Sequence, residues 1–260
     1  MMEISGIKID VGYTGRTVLK DFDITVRQGE ITTFVGPNGS GKSTLLKTLT
    51  RLIACRRGVV RCGGVPLDKV PGREFARHVG VLPQQHIAPP GFLVRDLVGF
   101  GRVPYQSWHS GLSGEDEEAV EKAMKATGVW QLRDKTLTDC SGGEAQRVWI
   151  ATVLAQEPDI LFLDEPTTFL DISYQLEILR LVKKLNRELG MGVVMVLHDL
   201  AQAMAVSDRI VVIKDGRKYG EGPPESVITP QMMRDVYHVG CRMVHVEGRE
   251  RPVLVYDEIS

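Results

Sequence analysis

The stretch GPNGSGKST, residues 36–44, constrains the fold more than any other part of this chain. It fits G-x-x-x-x-G-K-[ST] and stands between an apolar run, ITTFV, and a run with helical spacing, LLKTLTRLI, which is the setting such a loop requires. Gly36, Gly39 and Gly41 let the backbone curl so that successive N–H groups face phosphates. Lys42 would meet the β- and γ-phosphates and the Ser43 hydroxyl would sit on Mg²⁺, with Pro37, Asn38, Ser40 and Thr44 completing the loop. The ligand class is a nucleoside triphosphate, and the scaffold is an α/β core.

The rest of the chain supplies such a core. Residues 160–163 and 192–197 are short, β-branched-rich runs of the kind found in parallel strands buried on both faces. Between them SYQLEILRLVKKLNREL places Leu176, Leu179, Val182 and Leu185 on one helical stripe, with Gly190 as its stop. Strand, helix, strand implies a mostly parallel sheet. The first 35 residues read as short strands, EISGIKIDV, ITVRQG and EITTFVG, with a turn at Gly29. Residues 85–158 are helical with loops and no convincing strand, a helical subdomain inserted into the core. One helix there starts near Ser113, carries the acidic first turn EDEE and ends by Gly128. After Asp208, RIVVIKDGRKYGEG reads as a hairpin turning at Asp215-Gly216, followed by a helix with Thr229 as cap and Pro230 first. Residues 209–260 are too short for a separate regulatory domain, so 1–260 is read as one domain.

Charge and hydropathy narrow the partners. Thirty-two Lys and Arg against 33 Asp and Glu leave a net charge of -1, which argues against a nucleic-acid-binding protein. Apolar runs such as GVVMVL fall far short of the roughly 18 residues a membrane helix needs, and the N-terminus has no apolar signal core. A soluble, cytoplasmic chain is expected, with any membrane contact made through a partner. Cys55, Cys62, Cys140 and Cys241 form no C-x-x-C pair and are expected to be reduced, mostly packed thiols.

Further residues fit a phosphate-cleaving site. In ILFLDEPT, residues 160–167, an apolar strand ends in two carboxylates at the sheet edge where α/β ligands bind. Asp164 would hold Mg²⁺ and Glu165 would polarise the attacking water as general base. His198 ends the next strand and is expected at the γ-phosphate. Tyr13 could stack on an adenine ring, and Gln84 could reach the metal, with Gln85 competing for that part. In CSGGEAQR, Ser141 and Glu144 form a capping box. Gly142 and Gly143 each weaken a helix first turn by about 1 kcal/mol relative to Ala, so they are expected to let backbone approach a phosphate. That helix start could serve its own nucleotide or the nucleotide of another copy.

Taken in order, these residues resemble the motifs of ATP-binding cassette (ABC) ATPases over nearly the whole length. The resemblance covers the stacking aromatic Tyr13, the phosphate loop 36–44, the glutamine loop at Gln84 and the signature Ser141, Gly142, Gly143, Glu144. It continues through the pair Asp164 and Glu165, the D-loop at Leu170 and Asp171, and the switch histidine His198. It implies a P-loop NTPase core with a mostly parallel sheet, an N-terminal antiparallel β subdomain and an inserted α-helical subdomain. It also implies ATP and Mg²⁺ as cofactors and a head-to-tail homodimer in which the signature of one copy meets the ATP of the other. Glu144 stands where the family has Gln, Cys140 where it has Leu, and Phe169 where a small residue is common. Residues 82–105 and 146–179 are similar to ATPases of bacterial importers for iron chelates (siderophores or haem) and cobalamin. This implies docking on a membrane permease at the cytoplasmic face of the cell membrane, indirectly served by a periplasmic or lipoprotein substrate-binding protein. Ile87, Phe92, Leu93 and Val94 would then line part of the permease groove. The alternatives are a cobalamin importer ATPase and a cassette ATPase with soluble partners in iron–sulfur assembly or repair.

Overall fold

The computed structural model describes the chain except residues 14, 89, 107–110, 249–250 and 260. Strands β1 (Glu3–Tyr13), β2 (Arg16–Arg27) and β3 (Ile31–Val35) lead into helix α1 (Lys42–Leu49). Next come β4 (Arg57–Cys62), β5 (Val65–Pro66), α2 (Gly72–His78) and β6 (Val79–Leu82). Helices α3 (Val94–Gly99), α4 (Gly114–Ala126) and α5 (Gly142–Leu154) then follow one another. The chain re-enters the core with β7 (Ile160–Asp164), α6 (Ile172–Leu189), β8 (Gly192–Val196), α7 (Leu200–Val206), β9 (Arg209–Lys214) and β10 (Arg217–Gly222). It closes with α8 (Pro224–Val227), α9 (Pro230–Met232), a π-helical turn at Met233–Tyr237, and the hairpin β11 (Val239–Val244) and β12 (Val253–Ile259).

The central sheet has the order β10-β9-β3-β8-β7-β6, with all neighbours parallel except β10 and β9. A second sheet, β2-β1-β4-β5, is antiparallel. Side chains alternate along a strand, and the two cores follow that alternation. Phe34, Ile160, Phe162, Val194, Val196, Val211 and Ile213 pack toward Leu45, Leu46 and Leu49 of α1 and the antiparallel sheet. Val35, Leu161, Leu163, Val193, Met195, Ile210 and Val212 pack toward residues of α5, α6 and α7. Both faces are covered, hence the near-continuous apolar runs.

The helical region matches its reading: α4 starts after Ser113, whose capping box with Asp116 closes the first turn, and Gly128 follows its end. Asp116 also receives the Arg102 guanidinium at 2.8 Å, both side chains being under 10% exposed. Arg102 further donates to Ala155 O at 2.8 Å and Glu157 Oε2 at 2.9 Å, tying the segment after α3 to α4 and α5.

Three expectations need correction. The N-terminal strands are not short; β1 and β2 run 11 and 12 residues. Three register shifts interrupt their pairing and break the period of two that marks a strand in sequence. Asp23 and Asp10 accept the amides of Lys8 and Asp21, the two residues there with positive φ. Leu176 is 43% exposed, and Ile178 joins Leu179, Val182 and Leu185 in the core. The 18 residues of α6 span about 27 Å against about 17 Å for a five-residue strand, so its first turns outrun the sheet. The hairpin expected after Asp208 is present, β9 and β10 pairing antiparallel about Asp215-Gly216, and β9 also pairs with β3 in the central sheet, with Ile210, Val211, Val212 and Ile213 wholly buried. Val94 is also buried, in the core of the helical region, so it cannot line a surface groove.

Candidate nucleotide-binding site

The phosphate loop leaves β3 and enters α1, as its spacing requires. Gly36 is confined by sterics, since a Cβ there would lie 2.1 Å from Ile213 O of β9. Helix α1 begins after Gly41, at φ 109°, with no side-chain cap. Its first amides are therefore open to an anion at the positive end of the helix dipole. Lys42 is 5% exposed and donates from Nζ to Gly36 O at 2.8 Å and Pro37 O at 3.0 Å. Burial pushes its pKa down, against the opposing pull of Glu165 and Asp164. The Ser40 hydroxyl is buried without a hydrogen-bond partner among the described residues.

Strand parity then places Asp164. It shares the face of Ile160 and Phe162, the α1 side, and accepts from Ser43 Oγ at 2.9 Å. Its second oxygen, Oδ2, is buried with no hydrogen-bond partner among the described residues. Burial raises the pKa of this carboxyl, partly offset by the Ser43 hydrogen bond. A buried carboxylate with one unused oxygen beside a hydroxyl suits a hard divalent cation that takes oxygen ligands. Asp164 and Ser43 could hold Mg²⁺.

Glu165 leaves the strand at φ 57°, a left-handed conformation that costs a non-glycine residue about 1–2 kcal/mol. The turn is closed by Thr168 N–H donating to Glu165 O at 3.2 Å. The carboxylate meets three donors: His198 Nε2 lies 2.6 Å from Oε1, while Gln84 Nε2 and Thr168 Oγ1 lie 2.7 and 3.0 Å from Oε2. Gln84, not Gln85, therefore reaches the site. His198 stands at the expected sheet edge but is engaged by Glu165.

Tyr13, Arg16, Thr17 and Val18, the loop residues Asn38, Gly39 and Gly41 to Thr44, Glu165, His198 and the turn Asp215-Gly216 line a cleft of about 650 Å³. The ring of Tyr13 is half exposed there. Arg16 and Thr168 carried no motif and were missed in sequence. The turn at 215–216 gave a signal only for a hairpin, although Gly216 N–H donates to Ser40 O at 3.0 Å and so buttresses the phosphate loop.

Ser141, Gly142, Gly143, Glu144 and Asp171 do not line this cleft. Ser141 caps α5: its N–H donates to Glu144 Oε2 at 2.8 Å, and Glu144 N–H donates to Ser141 Oγ at 3.3 Å. Hydrogen bonding from the Ser141 N–H and hydroxyl holds the Glu144 carboxyl below the usual range, and the N–H turns it toward backbone. The two glycines of the signature stand in different surroundings. A Cβ on Gly143 would lie 2.3 Å from the Tyr174 ring of α6, so that glycine serves packing within the chain. Gly142 has only Leu170, 3.7 Å from such a Cβ, and stays exposed. Asp171 stands at the N-cap of α6 without capping it through its side chain.

A parallel sheet with a phosphate loop at one edge and paired carboxylates on the neighbouring strand defines an α/β nucleotide-binding cassette. The family profile described as ABC transporter matches residues 19–168. The "Probable siderophore transport system ATP-binding protein YusV" of Bacillus subtilis is 46% identical over 94% of this chain and 88% of its own length. The "Ferric enterobactin transport ATP-binding protein FepC" of Escherichia coli is 39% identical over 97% and 93%. A transporter described as of metal-chelate type, solved in an inward-facing conformation, superposes with a TM-score of 0.86 at 22% identity, over 99% of this chain and 98% of that one. A bacterial ABC transporter cassette solved as a dimer superposes at 0.72 with 29% identity, over 85% and 98%. The chain belongs to the ABC transporter family, as an ATP-binding subunit of its ATPase class. No helix among the described residues is long and apolar enough to cross a membrane.

Proposed function

We propose that this chain is the ATPase subunit that energises import of an iron chelate through a separate membrane permease, to which it docks at the cytoplasmic face. The ferric-siderophore relatives, aligned over nearly their full lengths, support iron chelate over cobalamin. The observation that carries the catalytic reading is the meeting of Glu165 with Gln84 and His198 beside the phosphate loop. The loop amides and Lys42 bind and orient the ATP phosphates, and Tyr13 offers its ring to the adenine. Mg²⁺, held by Ser43 and Asp164 with Gln84 within reach, would supply charge neutralisation at the β- and γ-phosphates. Glu165 accepts the proton of the attacking water, and His198 holds that carboxylate and faces the γ-phosphate.

The signature residues 141–144 stand outside their own chain's cleft, which supports their use by a second copy. Two chains arranged head to tail would each complete the other's site, with Asp171 near the shared boundary. Ile87, 92% exposed in the loop after Gln84, fits the permease-facing side of the same loop, and Phe92 and Leu93 stand beside it half buried. The substrate reaches the permease from a periplasmic or lipoprotein binding protein. Residues 1–260 act as one cassette with residues 85–158 as its helical insert.

The test is Glu165→Gln. ATP binding should persist while kcat falls at least about a hundredfold, and ATP-bound dimers should accumulate. An unchanged kcat removes Glu165 as base. For the cargo, loss of the chain should abolish ferric-siderophore uptake and spare cobalamin uptake; the reverse result reassigns it.

A further inference from the structure

We propose that Thr168 is a positioning residue for ATP hydrolysis, its hydroxyl holding the Glu165 carboxylate in the orientation that meets the attacking water. The inference rests on the reading of Glu165 as general base. Of the three donors on that carboxylate, two come from elsewhere in the sheet. Gln84 lies beyond the end of β6, at the start of the loop into the helical region, and His198 lies beyond the end of β8. Both have a second task in the proposed reaction, one at the metal and one at the γ-phosphate.

Thr168 differs. It sits in the same four-residue turn as Glu165, with its N–H on Glu165 O at 3.2 Å and its Oγ1 3.0 Å from Glu165 Oε2. Among the described residues, that carboxylate is the sole hydrogen-bond partner of the hydroxyl. Donor and acceptor share one closed turn, so this contact persists when strand ends shift or Gln84 swings away. A hydroxyl donating to an ionised carboxylate is short-range and directional. With Oε2 held by Thr168, the carboxylate is kept from rotating about its last bond, and the φ 57° backbone of Glu165 further restricts where the side chain can point. A carboxylate free to rotate would lose the alignment on which general-base catalysis depends.

The test compares Thr168→Ser with Thr168→Ala in the full-length chain, because both lack the methyl group and differ only in the hydroxyl. Thr168→Ser should keep kcat within about threefold of the parent, and Thr168→Ala should lose about tenfold more, a size usual for one positioned hydrogen bond. ATP affinity, measured by equilibrium titration, and the KM for ATP should stay within about twofold in both. A purely structural role would instead lower the thermal midpoint and disturb ATP affinity without separating Ser from Ala in kcat. Equal kcat in the two variants overturns the proposal. Should Thr168→Ala fail to fold, Thr168→Val against the parent poses the same question with the side-chain volume kept. If Glu165→Gln is inactive while Ser and Ala match, Thr168 alone is misassigned. If Glu165→Gln hydrolyses ATP normally, the general-base reading fails and this inference falls with it.

Discussion

Asp164 and Glu165 are adjacent in sequence and sit in different surroundings because one is the last residue of a strand and the other has left it. The strand's alternation carries Asp164 to the α1 face and Ser43, whereas a left-handed turn swings Glu165 to Gln84, Thr168 and His198. The same reasoning applies to Asp116, whose burial is outweighed by the hydrogen bonds of Arg102 and Ser113, so that its pKa lies below the ordinary value of 3.8. A depressed carboxylate adds stability that is present above its unfolded value and lost as pH falls through its folded one. Asp116→Asn leaves the buried Arg102 charge with Glu157 alone, and should cost about 2 kcal/mol in urea unfolding at pH 7. The gap to the parent should narrow at pH 4 and below. A variant with the parent's midpoint at pH 7 would show that Glu157 suffices.

At the scale of elements, helix starts and stops were legible because capping is local: Ser113, Ser141, Thr229 and Gly190 each act where their residue type places them. The long N-terminal strands were not, because their bulges break the period and are stabilised by Asp side chains from the partner strand. Gly143 is a further case, since its reason lies across a helix–helix contact. Gly143→Ala should destabilise the fold by about 1–3 kcal/mol through overpacking against Tyr174, while Gly142→Ala should be close to neutral in thermal melts. Adding Tyr174→Ala should remove most of the Gly143→Ala penalty. If the two penalties simply add, the ring contact does not explain the glycine.

At the scale of the molecule, the nucleotide cleft draws on residues from four separated stretches, near positions 13, 40, 165–198 and 215, while the signature of the same chain stands apart from it. Ser141→Arg and Lys42→Ala, each inactive alone, should regain up to about a quarter of parental activity when mixed in equal amounts, since about half of random dimers are mixed and each holds one intact site. That fraction follows from reciprocal dimer symmetry. A mixture with no activity would reject sites shared between copies.

The sequence by itself determined the phosphate loop, the carboxylate pair, the caps and the buried character of the core strands, because each is set by spacing within a few residues or by the run of side chains along one strand. Only the tertiary structure decided that Gln84 donates to the Glu165 carboxylate, that β9 enters the central sheet, that Val94 is core, and that Tyr174 packs where a Gly143 side chain would stand. Those outcomes depend on which surfaces meet across tens to more than a hundred residues of chain. No local preference encodes such a meeting; burial of two complementary faces against one sheet does.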